Sequence, residues 1–442
     1  MNANAAARAQ SAGRSLRVAF VTQPWDQIMP SRGGCDGSIA IITHEMARRL
    51  VGLGHHVCVY GAGRRFDFSE RREEALGVEF RTLPAVRLEL KVFGIYQKAA
   101  DRLLVQPPAN RPRFASRAYL AAYGRQLART LRERHYDIVH VHNLFQVIPA
   151  IRAANPGVRI ILHMHCEWLS QIAADIIADY LEGVDLVIGV SDHIADKVRA
   201  RFPQKAARCR TLYNSVDLEA FGGMGVGRLP REEGRRRLLF VGRVSPEKGV
   251  HLLIDAFAKI DAEFPDAELD IVGPPAQVAY DFLVALDDGA EVASLASFYG
   301  PGKGSYLEQV KARVPAALKS RINFLGGVPY GQVSGHYRAA DVFLNASYSE
   351  AFSMPTAEAM ANGLPVVAAR VGGVKEIVRH NETGLLFDVG DAGMLAEGIA
   401  RLLRDGALRR SMGEAGRARI TRSFSWETTV RRLESTYREM LQ

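Results

Sequence analysis

The chain has 442 residues, of which 48% are hydrophobic and 24% are charged, and it carries a formal net charge of +9. This length is too great for one ordinary core and predicts two domains of roughly 200 residues each. No apolar run approaches the roughly 18 residues that a membrane-spanning helix needs, which argues against an integral membrane protein.

The N-terminal segment and the cysteines indicate the compartment. Residues 1–15 lack the apolar centre of a signal peptide and are predicted to be a disordered tail. The four cysteines, Cys35, Cys58, Cys166 and Cys209, show no Cys-x-x-Cys spacing, so neither a disulfide framework nor a structural zinc site is expected. We therefore expect a protein of the reducing cytoplasm.

In the first half of the chain, strand-like apolar runs alternate with helical patterns, which is typical of parallel α/β domains. The first strand, LRVAFVTQ, is followed by the glycine-rich loop SRGGCDGSIA and by a helix from Ile39 to Leu50. Further strands are predicted at HHVCVYGA, DIVHVHN, RIILHMH and LVIGVS. We expect this first domain to span residues 16–212.

The positive charge is concentrated in the first half, because residues 1–215 carry a net charge of +11 and residues 216–442 a net charge of −2. Much of it lies in residues 87–134, where Arg and Lys alternate with Leu, Phe and Tyr at helical spacing. Such helices can lie on anionic lipid headgroups or attract an acidic acceptor. An ordinary amphipathic helix with an arginine-rich solvated face is the alternative. No nucleic-acid-binding motif is present, and no nucleic-acid partner is expected.

A second alternating series follows a Gly- and Arg-rich linker and predicts a second domain at residues 213–424. Its strands are expected at LLFVGR, ELDIVG, RINFLG, DVFLNA and PVVAA. The final helix, residues 425–442, is expected to join the first domain. Residues 274–306 are longer than a usual strand-to-helix connection and are interpreted as a rim element.

The segment SEAFSMPTAEAMANGLPVVA, residues 349–368, places Glu350 and Glu358 eight positions apart around a helix start. Pro355 suits the first helical position, where its missing N–H costs nothing. Free backbone amides and the positive end of the helix dipole then favour a bound diphosphate. The amides belong to the loop Ala351, Phe352, Ser353 and Met354. Because ionised carboxylates accept bidentately, Glu350 suits sugar hydroxyls and Glu358 a ribose diol. Two solvated glutamates near a helix start are the alternative.

This segment resembles the donor-site signature of the retaining glycosyltransferases of family 4. The resemblance continues in RRRLLFVGRVSPEKGVHLLIDAF, residues 235–257, and in INFLGGVPYGQVSGHYRAADVFLNAS, residues 322–347. It covers nearly the whole chain. It implies the GT-B fold, in which two Rossmann-like domains face each other across a donor cleft. The implied activity is transfer of a sugar from a nucleotide-sugar donor to an acceptor hydroxyl.

The resemblance also implies roles for cations and glycines. In the family, the pair that matches Arg243 and Lys248 of GRVSPEKG binds the donor pyrophosphate, where two cations offset the charge on the departing diphosphate. Gly37-Ser38 stands where many relatives carry Gly-Gly facing the donor phosphates, and Gly33-Gly34 competes for this role. Val328 lies in the loop LGGVPY, whose backbone groups are expected to recognise the base.

Histidines and a glutamate of the first domain are further candidates. His165 ends RIILHMH and falls where the family places a histidine that faces the donor sugar. His163, two residues earlier and hence on the same strand face, competes for that role. Glu167 and His193 are weaker candidates for acceptor contact, and His193 also fits an ordinary helix start.

The implied mechanism is a front-face transfer that retains the anomeric configuration, because no positioned carboxylate nucleophile can be identified for a double displacement. The absence of an Asp-x-Asp motif fits metal-independent chemistry, so neither a metal nor a cofactor is expected. A UDP-sugar is favoured over a GDP-sugar. The expected acceptor belongs to a bacterial cell-surface polysaccharide or glycolipid, with a small secondary metabolite as the runner-up. An epimerase of the same fold and a catalytically silent scaffold are the rival functions.

Overall fold

The structure is a computed structural model that describes residues 14–30, 37–62, 70–103, 107–222 and 235–442. It divides into two compact units. The first comprises the described residues up to Gly189, then Lys197–Leu212 and Val430–Gln442; the second comprises Val190–Asp196 and the described residues of Tyr213–Thr429. Most of the predicted N-terminal tail lies outside the described residues.

The strands are β1 Arg17–Val21, β2 His56–Ala62, β3 Arg71–Ala75, β4 Val78–Leu83, β5 Ile138–His142, β6 Arg159–Met164, β7 Leu186–Gly189, β8 Cys209–Thr211, β9 Arg236–Val241, β10 Ala267–Val272, β11 Ile322–Gly326, β12 Val342–Asn345, β13 Val366–Ala369 and β14 Leu385–Phe387. The α-helices are α1 Ser38–Gly52, α2 Ala85–Leu103, α3 Ala121–Arg134, α4 Ile148–Ala154, α5 Trp168–Gln171, α6 Ala174–Leu181, α7 Asp192–Arg201, α8 Leu218–Gly222, α9 Val250–Ile260, α10 Ala290–Ala293, α11 Tyr306–Arg313, α12 Tyr330–Ala339, α13 Met354–Ala361, α14 Val374–Ile377, α15 Ala392–Arg404, α16 Gly406–Ser423 and α17 Trp426–Met440.

The first unit is built on an eight-stranded sheet in the order β3-β4-β2-β1-β5-β6-β7-β8. All neighbours are parallel except β3 and β4, which form an antiparallel pair at one edge. Every residue of β5 is buried, as expected of a parallel strand covered on both faces. The charged strand β3 is largely exposed and has no apolar pattern from which sequence could predict it.

The second unit contains a six-stranded parallel sheet in the order β11-β10-β9-β12-β13-β14. Its core is apolar and includes Leu238, Leu269, Val342 and Val367, which are fully buried. Helices α9 and α15 contribute Leu253 and other buried side chains to the same core. Ligand-binding residues of such sheets lie beyond the carboxyl ends of the strands.

Two loops at the carboxyl ends of adjacent strands β9 and β12 lie in close contact. The first loop ends at Gly249, whose backbone is left-handed with φ +69°. A Cβ at Gly249 would lie 2.0 Å from the carbonyl oxygen of Ala346, which belongs to the second loop. Only glycine fits this approach without moving a backbone, so the residue fixes the spacing of the two loops.

The long connection at residues 274–306 folds into short helical segments, including α10. Its apolar side chains Val284, Val292 and Leu295 form a small cluster with Tyr348, which lies in the loop after β12. The segment thus packs against a loop that begins at the carboxyl end of the second sheet.

The C-terminal residues form two helices, α16 and α17. In the first unit, Tyr437 of α17 is fully buried, and its hydroxyl lies 2.7 Å from Nδ1 of His140 on β5. Among the described residues, no helix is both long enough and apolar enough to cross a bilayer.

We expect Gly249→Ala to lower the free energy of unfolding of the second unit by at least about 2 kcal/mol, because the new Cβ adds left-handed strain to a clash with a backbone carbonyl. In a calorimetric scan this corresponds to a midpoint lower by roughly 4 °C or more. The control is Gly331→Ala within α12, where a Cβ meets nothing within 4 Å and a small gain of about 0.5–1 kcal/mol is expected. Equal midpoints for the two variants would contradict the role of Gly249 in the close approach of the two loops.

Candidate functional site

The loop after β9 carries the predicted cation Arg243, which is held by a buried glutamate. The guanidinium of Arg243 lies 3.1 Å from Oε1 of Glu247, and the Ser245 hydroxyl donates to the same oxygen at 2.6 Å. Glu247 is 1% exposed, whereas the Arg243 side chain is 45% exposed. Oε2 of Glu247 makes no hydrogen bond within the described residues. Glu247 was not predicted from the sequence, since a glutamate in a loop is ordinarily solvated.

Lys248 and Glu350 come from different loops and form an ion pair. Nζ of Lys248 lies 2.7 Å from Oε1 of Glu350, and both side chains are largely buried. The Ser347 hydroxyl donates to the same carboxylate oxygen at 2.9 Å. The structure therefore brings together two predicted site residues that are 102 positions apart.

The start of α13 is organised by Asn345, the last residue of β12. Its amide group donates to the hydroxyl oxygens of Ser353 at 2.9 Å and Thr356 at 3.1 Å. Ser353 precedes the helix with a left-handed backbone, φ 85°, and makes no side-chain cap. Met354 is the first helical residue, so Pro355 occupies the second position and not the predicted first one. The amides at this helix start are thus not used by a side-chain cap.

The other predicted residues of this loop differ in exposure. Phe352 is 2% exposed and packs against the ring of Phe424 at 5.7 Å between centroids, while Ala351 and Met354 are partly buried. Phe352 therefore anchors the loop, and its contribution to a ligand would come through its backbone.

A glycine pair after β13, which was not predicted from the sequence, brings a third loop against this one. The N–H of Gly373 donates to the carbonyl of Glu350 at 3.1 Å. A Cβ at Gly372 would lie 1.8 Å from that carbonyl oxygen, and one at Gly373 would lie 2.3 Å from the carbonyl oxygen of Ala351. The Gly-Gly pair before α14 is visible in the sequence. Its role in packing becomes clear only when the loop that it contacts, at Glu350 and Ala351, is known.

Glu358 is largely buried, at 4% exposure, and is therefore not the solvated glutamate of the alternative interpretation. Tyr330 donates to its Oε1 at 3.1 Å and Tyr337 to its Oε2 at 2.9 Å. Burial raises the pKa of Glu358 from 4.5 to about 7, although the two phenols act in the opposite direction. Tyr330 begins α12 directly after the loop that holds Val328, which is partly buried. The predicted base-binding loop and the predicted ribose carboxylate are therefore connected by a hydrogen bond.

The glycine-rich loop of the first unit is only partly described. Gly37 precedes α1 with φ 97°, and both Gly37 and Ser38, the first helical residue, are exposed. The helix start carries no side-chain cap. The competing pair Gly33-Gly34 lies outside the described residues.

The two candidate histidines of the first unit have different surroundings. His165 lies one residue beyond β6 and is partly buried; its N–H donates to Oδ1 of Asn143 at 2.7 Å. His163 lies on β6, is 0% exposed and is within 3.0 Å of His140. Burial lowers the pKa of His165 to about 3 and that of His163 well below its ordinary value. Of the two, only His165 has exposed surface for a substrate.

The two weaker candidates have structural partners. Glu167 pairs with Lys197 within the first unit. In the second unit, the N–H groups of Asp192 and His193, at the start of α7, each donate at 2.7 Å to the carboxylate of Glu376. Glu376 was not predicted, since its partner lies far away in the sequence.

Comparisons with known proteins identify the family. A model described as Glycosyl transferases group 1 matches residues 227–419, and one described as Glycosyltransferase Family 4 matches residues 39–220. The chain belongs to the family 4 glycosyltransferases. This confirms the family suggested by the sequence motifs.

Similar proteins agree with this assignment. The glycosyltransferase is 28% identical over 448 residues to a D-inositol 3-phosphate glycosyltransferase from Kribbella flavida, covering 96% of this chain and 95% of the relative. It is 27% identical over 340 residues to N-acetyl-alpha-D-glucosaminyl L-malate synthase from Bacillus anthracis, covering 73% and 80% of the two chains.

Solved structures show the same fold. Sucrose-phosphate synthase from Thermosynechococcus elongatus has a TM-score of 0.71 at 23% identity, covering 97% of this chain and 99% of that one. Anabaena HepE in complex with UDP and glucose has a TM-score of 0.63 at 19% identity, covering 95% and 99%. The predicted GT-B class, a two-domain α/β structure with parallel sheets, is confirmed.

The buried carboxyl of Glu358 makes stability depend on pH. Its pKa is raised from 4.5 to about 7, so the folded state favours the neutral form, and this stabilisation is present below about pH 4.5 and lost as the pH rises through 7. Between these pH values, we expect the free energy of unfolding of the wild type to fall by up to about 3 kcal/mol relative to that of Glu358→Gln, which cannot ionise. Denaturant unfolding at pH 5 and pH 8 measures the difference. The control, Glu382→Gln, changes a glutamate whose side chain is 57% exposed, and it should show no such trend. A pH-independent difference between wild type and Glu358→Gln would contradict the assignment.

Proposed function

We propose that this glycosyltransferase transfers a sugar from a UDP-sugar to an acceptor hydroxyl with retention of the anomeric configuration. The observation that carries the proposal is the convergence of Lys248 and Glu350, at 2.7 Å, beside the start of α13. A cation, a carboxylate and helix amides are the groups that a sugar diphosphate needs. The similar protein HepE, whose solved structure contains UDP, supports the choice of nucleotide.

The cations of the site act on the leaving group. Arg243 and Lys248 stabilise the charge that appears as the bond between the anomeric carbon and the diphosphate oxygen breaks. The acceptor oxygen bonds to that carbon on the same face, and its proton passes to the departing phosphate oxygen. Two fixed cations and the amides at the start of α13 supply the charge stabilisation that a metal ion provides elsewhere, so we propose metal-independent transfer.

Glu350 and Glu358 hold the two ends of the donor in this proposal. Glu350 accepts hydrogen bonds from sugar hydroxyls through lone pairs that Lys248 and Ser347 leave available. Glu358 accepts from the ribose diol, and its two tyrosines keep the carboxylate oriented. Since the pKa of Glu358 is about 7, donor binding is expected to strengthen as the pH rises through neutrality.

Nucleotide binding tests this function. We expect calorimetry to show UDP bound more tightly than GDP or ADP, with no effect of magnesium. Lys248→Met should weaken UDP binding about 10- to 100-fold, because it removes charged hydrogen bonds to the diphosphate. The matched control is Lys259→Met, which changes an exposed lysine at the opposite end of α9. Absence of binding by all three nucleotides, or equal affinities for the two variants, would overturn the proposal.

Exposed apolar side chains of helix α2 support the proposal that the acceptor is linked to a lipid. The helix is held in the first unit by Glu89, which accepts hydrogen bonds from the amides of Ala122 and Tyr123 at the start of α3. A different set of side chains, Val92, Ile95 and Tyr96, is 57%, 63% and 52% exposed. Their spacing places them on one helix face. We propose that this face inserts into an anionic membrane surface, to which the basic first half of the chain is attracted.

Vesicle cosedimentation tests the membrane proposal. We expect binding to vesicles that contain phosphatidylglycerol and little binding to pure phosphatidylcholine. The triple variant Val92→Ser, Ile95→Ser, Tyr96→Ser should weaken binding by about tenfold or more, because three apolar side chains are lost from the bilayer contact. The control changes Leu53 and Leu76, which are 44% and 70% exposed elsewhere on the first unit, to Ser. Unchanged binding of the triple variant would refute the assignment of this face.

A further inference from the structure

Four histidines lie side by side where β5 and β6 end in the first unit. His140 and His142 belong to β5, His163 belongs to β6, and His165 follows β6 directly. The first three are 0% exposed, and His165 alone is partly exposed. Two hydrogen bonds connect the rings in pairs: His140 Nε2 lies 3.0 Å from His163 Nδ1, and His142 Nδ1 lies 2.8 Å from His165 Nε2. The mechanism above gives no role to the three buried rings.

We infer that His142 is a positioning residue that fixes His165 in the tautomer with its hydrogen on Nδ1. His165 then presents an N–H donor, and not a lone pair, on the ring nitrogen that His142 does not occupy. Such a donor can bind an oxygen of the sugar or of the departing phosphate, but it cannot take a proton from an acceptor.

The tautomer follows from a count of hydrogens. A neutral imidazole carries one N–H and one lone pair on its two nitrogens. Burial lowers the pKa of His165 to about 3 and that of His142 well below its ordinary value, so both rings are neutral near pH 7. The pair therefore has two hydrogens, of which one is used in the 2.8 Å bond between the rings. The other must lie on Nε2 of His142 or on Nδ1 of His165.

The surroundings of the two nitrogens decide between these positions. Nε2 of His142 is buried and has no hydrogen-bond partner within the described part of the chain, while Nδ1 of His165 is not among such atoms. A hydrogen on His142 Nε2 would be a buried donor without an acceptor, which is rare in folded proteins and destabilising. The hydrogen of His142 accordingly lies on Nδ1, where it is donated to His165 Nε2. His165 is left with its hydrogen on Nδ1.

The number of hydrogens does not decide the tautomers of the other pair, His140 and His163. The assignment is therefore specific to His142 and His165. The chain Tyr437, His140 and His163 contains three hydrogens and two hydrogen bonds. Whichever way the two hydrogen bonds run, one hydrogen has no acceptor. It lies on Nε2 of His163 if Tyr437 donates to His140, or on the Tyr437 oxygen if His140 donates to Tyr437. Both of these groups are fully buried, so neither direction avoids an orphan.

The His165 ring is also fixed in orientation. Its backbone N–H is held by Asn143, and its ring centroid lies 4.5 Å from that of His163 with an angle of 34° between the planes. The hydrogen bond from His142 acts on a ring that packing already confines. A donor that is preorganised in this way loses little entropy when a ligand binds.

A metal ion is the competing use of these rings. Nitrogens of His140, His142 and His163 all lie within 4.8 Å of one another. An ion bound through His140 Nε2 or His163 Nδ1 would break the 3.0 Å hydrogen bond between these two nitrogens. The hydrogen bonds account for the present ring positions without an ion.

Nuclear magnetic resonance of the full-length protein, labelled at histidine with ¹⁵N and ¹³C, tests the inference directly. Nitrogen shifts distinguish an N–H from a lone pair at each ring position, and His165→Gln assigns the His165 signals by their loss. We expect an N–H signal for Nδ1 and a lone-pair signal for Nε2 of His165 near pH 7. A reversed assignment, or a shift of the histidine signals to metal-bound positions on addition of equimolar Zn²⁺, would overturn the inference.

Two variants of similar size test the role of His142. His142→Asn keeps an amide donor near the place of Nδ1, whereas His142→Leu removes it. We expect His142→Asn to retain the Nδ1–H signal of His165 and His142→Leu to lose it to a mixture of tautomers. Identical tautomers in the two variants would refute the positioning role, and the wild-type spectrum decides the tautomer even if a variant does not fold. The catalytic meaning of the donor rests on the proposed function, but the tautomer is measured without a substrate, so the failure of one is distinguishable from the failure of the other.

Discussion

The ion pair between Lys248 and Glu350 is the interaction on which the candidate site depends. Its two members lie on loops that follow adjacent strands of one parallel sheet, and the close approach at Gly249 makes their meeting possible. A largely buried pair gains little net stability, because desolvation offsets its Coulomb energy. Its value is geometric. With Ser347 on the same oxygen and the Gly373 amide on the Glu350 carbonyl, the carboxylate is held before any ligand binds.

Glu358 differs from Glu350 because its buried carboxyl is held by tyrosine hydroxyls and not by a cation. Its carboxylate is held by two phenols, which only partly offset the loss of hydration, so the pKa stays near 7. In the proposed function, a nucleotide ribose would bring two hydroxyl donors to this carboxylate, which favours the ionised form. Ligand binding and proton release would then be linked at Glu358, whereas the charge of Glu350 is already balanced by Lys248.

Sequence predicted those features that depend on local pattern. The buried strands β5, β9 and β12 were visible as apolar runs. The spacing of the glutamate pair and the family resemblance of the GRVSPEKG loop predicted the candidate residues Glu350, Lys248 and Arg243, of which the structure brings Lys248 and Glu350 together. Glu247, Glu376 and the Gly372-Gly373 pair were missed, since each acts through a partner that only the folded chain supplies. The exposed edge strand β3 and the three-residue strands β8 and β14 were missed because they have no apolar pattern of sufficient length. The same limit applies to Pro355, whose position was wrong by one residue at a helix boundary.

The candidate residues of the two units differ in their charge. The second unit contributes charge, through Arg243, Lys248 and two glutamates, and charge is what a diphosphate leaving group requires. The first unit contributes neutral imidazoles whose burial keeps them unprotonated. In the proposed transfer, a positive charge at His165 would oppose the cationic character of the anomeric carbon. A neutral N–H donor would orient the sugar in that transfer without adding charge there, and burial is what keeps the His165 ring neutral, because it lowers the pKa to about 3.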